Sequence, residues 1–169
     1  IDPKLFTNSQ IKKFFLKNNK IKYINKNLID DIKKQRENFK NPFFSLNKNI
    51  VGESTSSKIN KISKYLIKNK SDYIFISAPE NVAWILNIRG GDSPNSPIPN
   101  SRLIISKTKK ILLISKKEKC KKLIKNKSIK LNQLIDQNDF PNEIFKLEGK
   151  KFIIDNKSCS IFYENLINS

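Results

Sequence analysis

The chain has 169 residues, 34 Lys plus Arg against 15 Asp plus Glu, no histidine, two cysteines and a formal charge of +19. That length admits one good core, or one domain and part of another. Without histidine the usual general base of a nucleophilic triad and the commonest transition-metal ligand are missing. Cys120 and Cys159 form no CxxC pair and read as free thiols, and no apolar run reaches the roughly 20 residues of a spanning helix, so a self-contained hydrolase, a zinc module and a membrane span are all disfavoured and a cytoplasmic protein is expected.

In chain order, SQIKKFFLKNN carries apolar residues at Ile11, Phe14, Phe15 and Leu16 and predicts a helix from about Ser9. IKYIN then reads as a short strand and NLIDDIKKQR as a second helix. Residues 38 to 52, with Pro42 and little periodicity, read as a linker. The helix, strand and helix before it have too few strands to cover their own apolar surface, so residues 1 to 37 are expected to be a remnant of a preceding domain.

From Glu53 the elements alternate. Ile59, Ile62, Leu66 and Ile67 stand at i, i+3, i+7 and i+8, one stripe of a helix able to pack on a sheet. DYIFIS is a strand whose continuous apolar run suits burial on both faces. Ser77 and Glu80 have the spacing of a capping box, with Pro79 fitted to a first helical turn. Val82, Ala83, Ile85 and Leu86 then form a short helix that Gly90-Gly91 is expected to stop. Pro94, Pro97 and Pro99 exclude helix and central strand from the loop that follows.

SRLIISK and KKILLISK face each other across KTKK as an antiparallel hairpin. A basic helix over 116 to 126, a short segment SIKLNQ, a helix over FPNEIFKL, the strand KKFIIDN and a helix over SIFYENLIN complete the order. Alternation of this kind with one hairpin implies a three-layer α/β/α domain with a mixed sheet over 53 to 169. Phe43, Phe44, Tyr65, Phe75 and Phe152 all sit where core packing accounts for them.

The stretch from Trp84 to Asp92 is out of character with its surroundings. It holds the only Trp, two of the four glycines and Arg89, one of three arginines in a lysine-rich chain. A Gly-Gly turn lets backbone approach a ligand closely, and the planar guanidinium of Arg89 suits a carboxylate. Asp92 could hold that fork or take a second partner. In the plainer alternative, Arg89 and Asp92 pair with each other or with carbonyls to brace the turn, and Trp84 is core.

The lysine-rich stretch 107 to 130 carries eleven Lys against Glu118 alone. A solvated face explains it, with Leu123 and Ile124 turned inward. Charge alone leaves a basic α/β nucleic-acid-binding module as the alternative function, although lysine is spread over the whole chain.

The order of IDPKLFTNSQ, NLIDDIKKQR, VGESTSSKINKI, ENVAWILNIRGGDSPNSPIPNSRLIIS and KKFIIDNKSCSIFYENL resembles the three-domain Xaa-Pro aminopeptidases, metallopeptidases related to prolidase and creatinase. The WILNIRGGD core followed by a proline loop is its most specific part. The resemblance implies that residues 1 to 37 are the tail of a first creatinase-amino-terminal-like domain, 38 to 52 a linker, and 53 to 169 a second such domain. It also implies a missing pita-bread catalytic domain holding two divalent metal ions, manganese, through Asp, Glu and His. This chain would then be inactive alone and carry no cofactor. Its partners would be its own catalytic domain, a peptide substrate at the domain interface and a second copy through the missing domain, with nucleic acid not favoured and no membrane. Trp84, Asn87, Arg89 and Asp92 would face the substrate entrance or the interdomain gap.

Overall fold

The computed structural model describes residues 1–15, 19–24, 27, 29, 41–47, 49–93 and 95–169. Contacts divide the chain into two compact units, Ile1–Asn38 with Asp155–Ser169, and Phe39–Ile154.

The larger unit is built on a five-stranded mixed sheet. Its strands are β2 (Tyr73–Ile76), β4 (Arg102–Ser106), β5 (Ile111–Ile114), β6 (Leu134–Ile135) and β7 (Phe152–Ile154), in the order β6-β5-β4-β2-β7. The hairpin expected from sequence is present, with Leu103 opposite Leu113 and Ile104 opposite Leu112. β2 pairs antiparallel with β4 and parallel with β7, and β5 pairs parallel with β6. β2 therefore lies inside the sheet, as its unbroken apolar run implied.

Strand alternation sends side chains to two faces. Ile76, Leu103, Ile105, Ile111 and Leu113 join one buried cluster with Ile59, Val82, Ile85, Leu86 and Leu123. Those partners come from α2 (Thr55–Lys68), α3 (Pro79–Leu86) and α4 (Lys121–Lys125). On the other face, Phe75 stacks on Phe140 of α5 (Phe140–Phe145) with ring centres 5.5 Å apart. Helices thus cover both faces, giving the three-layer α/β/α arrangement with a mixed sheet. Of the predicted stripe on α2, Ile59 and Leu66 are buried and Ile67 is 61% exposed. The basic segment is a 3-10 turn over Lys117–Cys120 leading into α4, with Leu123 fully buried.

The expected linker contributes to this unit. Phe43 is fully buried, and β1 (Phe44–Ser45) pairs antiparallel with β3 (Ile88–Arg89), Phe44 facing Arg89. The amide of Phe43 also donates to the Lys119 carbonyl at 2.8 Å. Two turn expectations are corrected. α3 takes Ala78 as its N-cap with no side-chain cap bond, because Pro79 at the first helical position leaves Glu80 one place short of the capping box. Its far end is closed by Asn87 in the left-handed region, φ 54° and ψ 42°, three residues before the glycine expected to stop it.

In the smaller unit, α1 (Asn8–Phe14) opens on a capping box: Thr7 accepts from the Gln10 amide at 3.2 Å and Gln10 accepts from the Thr7 amide at 2.9 Å. Residues 21–24 form no strand, contrary to expectation. The helix predicted over 27 to 36 falls almost entirely outside the described residues. α6 (Ile161–Asn168) has its first amides satisfied by the chain's beginning, Ile161 donating to Phe6 and Phe162 to Pro3 at 2.9 and 3.0 Å. These donors would otherwise have no helical partner.

Candidate functional site

The site grows from the end of α3. Asn87 adopts the left-handed backbone that lets a helix finish, and asparagine tolerates it better than most residues with a Cβ. Its side chain is used at both ends. The amide Nδ2 donates to the Glu53 carbonyl at 2.9 Å, and Oδ1 accepts from Lys58 Nζ at 2.7 Å. The turn is therefore tied to the approach and first turns of α2.

Lys58 is the hub, and sequence reasoning missed it. It is only 3% exposed. Its ammonium donates to the Trp84 carbonyl at 2.5 Å and lies 4.1 Å from the centre of the Trp84 ring. Two acceptors and a ring face thus replace the water a buried cation gives up. Burial still lowers the Lys58 pKa below the ordinary lysine value. One sequence signal could have found it: Lys58 stands four before Ile62 and eight before Leu66, a place on the apolar stripe where an exposed lysine does not belong.

Trp84 itself is 56% exposed, so it is a surface residue and not core. With Tyr65, Ile62, Ile74, Lys58 and Lys61 it lines a groove of about 280 Å³. Tyr65 is 53% exposed, which also departs from the core placement expected for it.

Arg89 and Asp92 turn to different partners. Arg89 Nη1 donates to the carbonyls of Ile88 and Ala83 at 2.8 and 3.3 Å, which clamps the guanidinium to the end of α3. Asp92 pairs with Lys119 in a largely buried contact and accepts from the Asn100 amide at 2.6 Å. The carboxylate thereby joins both ends of the proline loop to the basic turn before α4. Burial lowers the Lys119 pKa. Both charged residues are bound within the unit, as the plainer sequence alternative allowed, though not to each other.

The paired glycines answer to packing. A Cβ on Gly90 would stand 2.8 Å from both the Pro99 Cα and the Phe43 ring, and one on Gly91 2.9 Å from Asn41. They let residues 41–43 and the proline loop close over β3. An open cleft of about 540 Å³ remains beside them, lined by Asn41, Gly90, Gly91, Ser93, Asn95, Ser96 and Pro97.

Among the described residues no three Cys, Asp or Glu side chains converge as metal ligands, and the sequence has no His. Nor, among the described residues, is any helix long and apolar enough to cross a membrane.

The model of the creatinase/prolidase N-terminal domain matches residues 33–169. The chain is similar to Xaa-Pro aminopeptidase 1 of Dictyostelium discoideum, 30% identical over 98 residues that make up 52% of this chain and 15% of that protein. Its fold is similar to the crystal structure of X-prolyl aminopeptidase from Caenorhabditis elegans, described as a cytosolic enzyme with a di-nuclear active site. That likeness has a TM-score of 0.63 at 21% identity and covers 79% of this chain and 23% of the nematode one. In both cases the chain spans under a quarter of the relative's length.

Proposed function

The chain belongs to the creatinase/prolidase N-terminal domain family, and on that premise we propose that it is the non-catalytic amino-terminal part of a metal-dependent Xaa-Pro aminopeptidase. The parent would remove the residue preceding an amino-terminal proline. The observation that carries this reading is the family match over 33–169 together with relatives named as Xaa-Pro aminopeptidases. In this reading residues 1 to 37 are the tail of a first domain and residues 53 to 169 the second. The catalytic pita-bread domain is a separate part, binding two divalent ions such as manganese and supporting a homodimer, in a cytoplasmic enzyme.

Asn87, Arg89 and Asp92 then form a fixed wall at the substrate entrance, and Trp84 serves as an interface aromatic. Rigidity supports that role: Asn87 is held by Glu53 and Lys58, Arg89 by two carbonyls, and Asp92 by Lys119 and Asn100. A wall fixed before substrate arrives loses little entropy on binding. The test is Arg89→Ala in the complete enzyme, with kcat/KM on a prolyl tripeptide and thermal stability both measured. A fall in kcat/KM of about tenfold, measured at a temperature where the variant is still fully folded, supports the entrance wall. Unchanged kcat/KM removes it.

A further inference from the structure

We propose that the groove between α2 and α3 is a docking site for an acidic segment of a partner polypeptide, which inserts one bulky apolar side chain between Trp84 and Tyr65. The proposal deepens, and rests on, the reading of Trp84 as an interface residue.

Three observations point to this occupant. The first is the lining. Ile62 and Ile74 join the two aromatics and the stems of Lys58 and Lys61 around an open groove of about 280 Å³. Two large aromatics, each more than half exposed, meet at this one groove. The second is preorganisation. Lys58 holds the Trp84 backbone and ring from beneath, so the indole is presented in a fixed pose, as an anchor for recognition should be.

The third is charge. Lys61, Lys64 and Lys68 stand at i, i+3 and i+7 on the exposed side of α2, beside Tyr65. Lys61 pairs with Glu53, but its side chain remains 70% exposed. Among the described residues no ion pair engages Lys64 or Lys68. An occupant with carboxylates flanking its apolar side chain would meet the exposed Lys61 at the groove and Lys64 and Lys68 further along the same helix, and a basic one would be repelled.

The concave shape favours a peptide over a lipid surface, which a flat or protruding patch would suit better. The isoleucine lining favours it over a nucleobase, whose edges need hydrogen-bond partners. Lys58 Nζ is committed to Trp84 and Asn87, and so is not a free phosphate ligand.

The test is selection of a random dodecapeptide library displayed on phage against the purified 169-residue chain. The selected consensus peptide is then made with a fluorescein label for anisotropy. The proposal expects a consensus with Asp or Glu flanking Leu, Phe or Trp. It further expects binding to weaken about tenfold in Trp84→Ala and in Tyr65→Ala, to weaken in the charge reversal Lys64→Glu, and to fall as salt rises from about 50 to 500 mM. Circular dichroism of each variant reports that the fold is kept. A neutral or basic consensus, no enrichment, or binding indifferent to both aromatic substitutions overturns the proposal. So does Trp84-dependent binding to phosphatidylserine vesicles or to a single-stranded oligothymidine in place of peptide. None of these readouts depends on peptidase activity, so they stand or fall separately from the Arg89 test in the complete enzyme.

Discussion

The ammonium of Lys58 sits 4.1 Å from the centre of the Trp84 ring while hydrogen-bonding the carbonyl of the same residue. A buried cation thereby closes the helix that carries the only tryptophan of the chain. Lys58→Met would keep the apolar stem and leave Asn87 Oδ1 without its donor, a loss of about 1–3 kcal/mol. Urea unfolding followed by the Trp84 emission measures it directly, since no other indole contributes. Equal stability of the variant would show that the cation is incidental.

The turn at Asn87 separates conformation from bonding. Asn87→Gly retains the left-handed backbone but loses the bonds to Lys58 and Glu53, whereas Asn87→Ala loses the bonds and adds strain. Alanine is therefore expected to be less stable than glycine by about 1 kcal/mol, with both below the parent. The opposite ranking in thermal melts would contradict the assignment of Asn87 as the helix stop.

Gly90 and Gly52 offer a paired test of packing. Gly90→Ala drives a methyl into the Pro99 backbone and the Phe43 ring, while Gly52→Ala meets nothing within 4 Å. The first is expected to cost about 1–3 kcal/mol and the second to change stability by at most about 0.5 kcal/mol. Similar denaturation midpoints for the two variants would argue against closure of residues 41–43 over β3.

Cys120 and Cys159 form no disulfide and are both fully buried. Burial pushes the Cys120 thiol from the usual 9.0 up to about 11. The folded state therefore holds a proton that the unfolded thiol has released at pH 10, so this group contributes stability below pH 9 that is lost as pH rises towards 11. Neither thiol should react with iodoacetamide at pH 8 in the native protein, and both should react in urea. Replacing Cys120 by Ala should flatten the alkaline decline in stability. Rapid native alkylation at Cys120 would contradict the burial.

Much of the sheet was legible because its strands are apolar, β-branched runs bounded by polar turns, and the hairpin joins Arg102–Ser106 to Ile111–Ile114 through a short lysine-rich turn. The family was legible in the WILNIRGGD core and its proline loop. What escaped were contacts between residues far apart in sequence. Phe44 pairs with Arg89 across 45 positions, and no local pattern announces a two-residue strand. Lys58 is one lysine among many, distinguished only by standing on an apolar stripe. Gly90-Gly91 looked like a helix stop because glycine usually serves that purpose, but here the pair makes room for Phe43, Pro99 and Asn41.

Asp92 joins the proline loop to Lys119. Both side chains are mostly buried, so removing one partner strands the other, at a cost of about 2–4 kcal/mol for Asp92→Ala or Lys119→Ala. The double variant should recover part of that loss in a double-mutant cycle. Strict additivity would show that the two do not interact.

The claim on which the functional account rests is that bond cleavage belongs to a part of the enzyme outside these residues. The direct measurement is incubation of the purified 169-residue chain with an Ala-Pro-Ala peptide and manganese, following release of the amino-terminal alanine by mass spectrometry. The account predicts no release above the buffer control. Release that a chelator abolishes, and that copurifies with the chain, would contradict it.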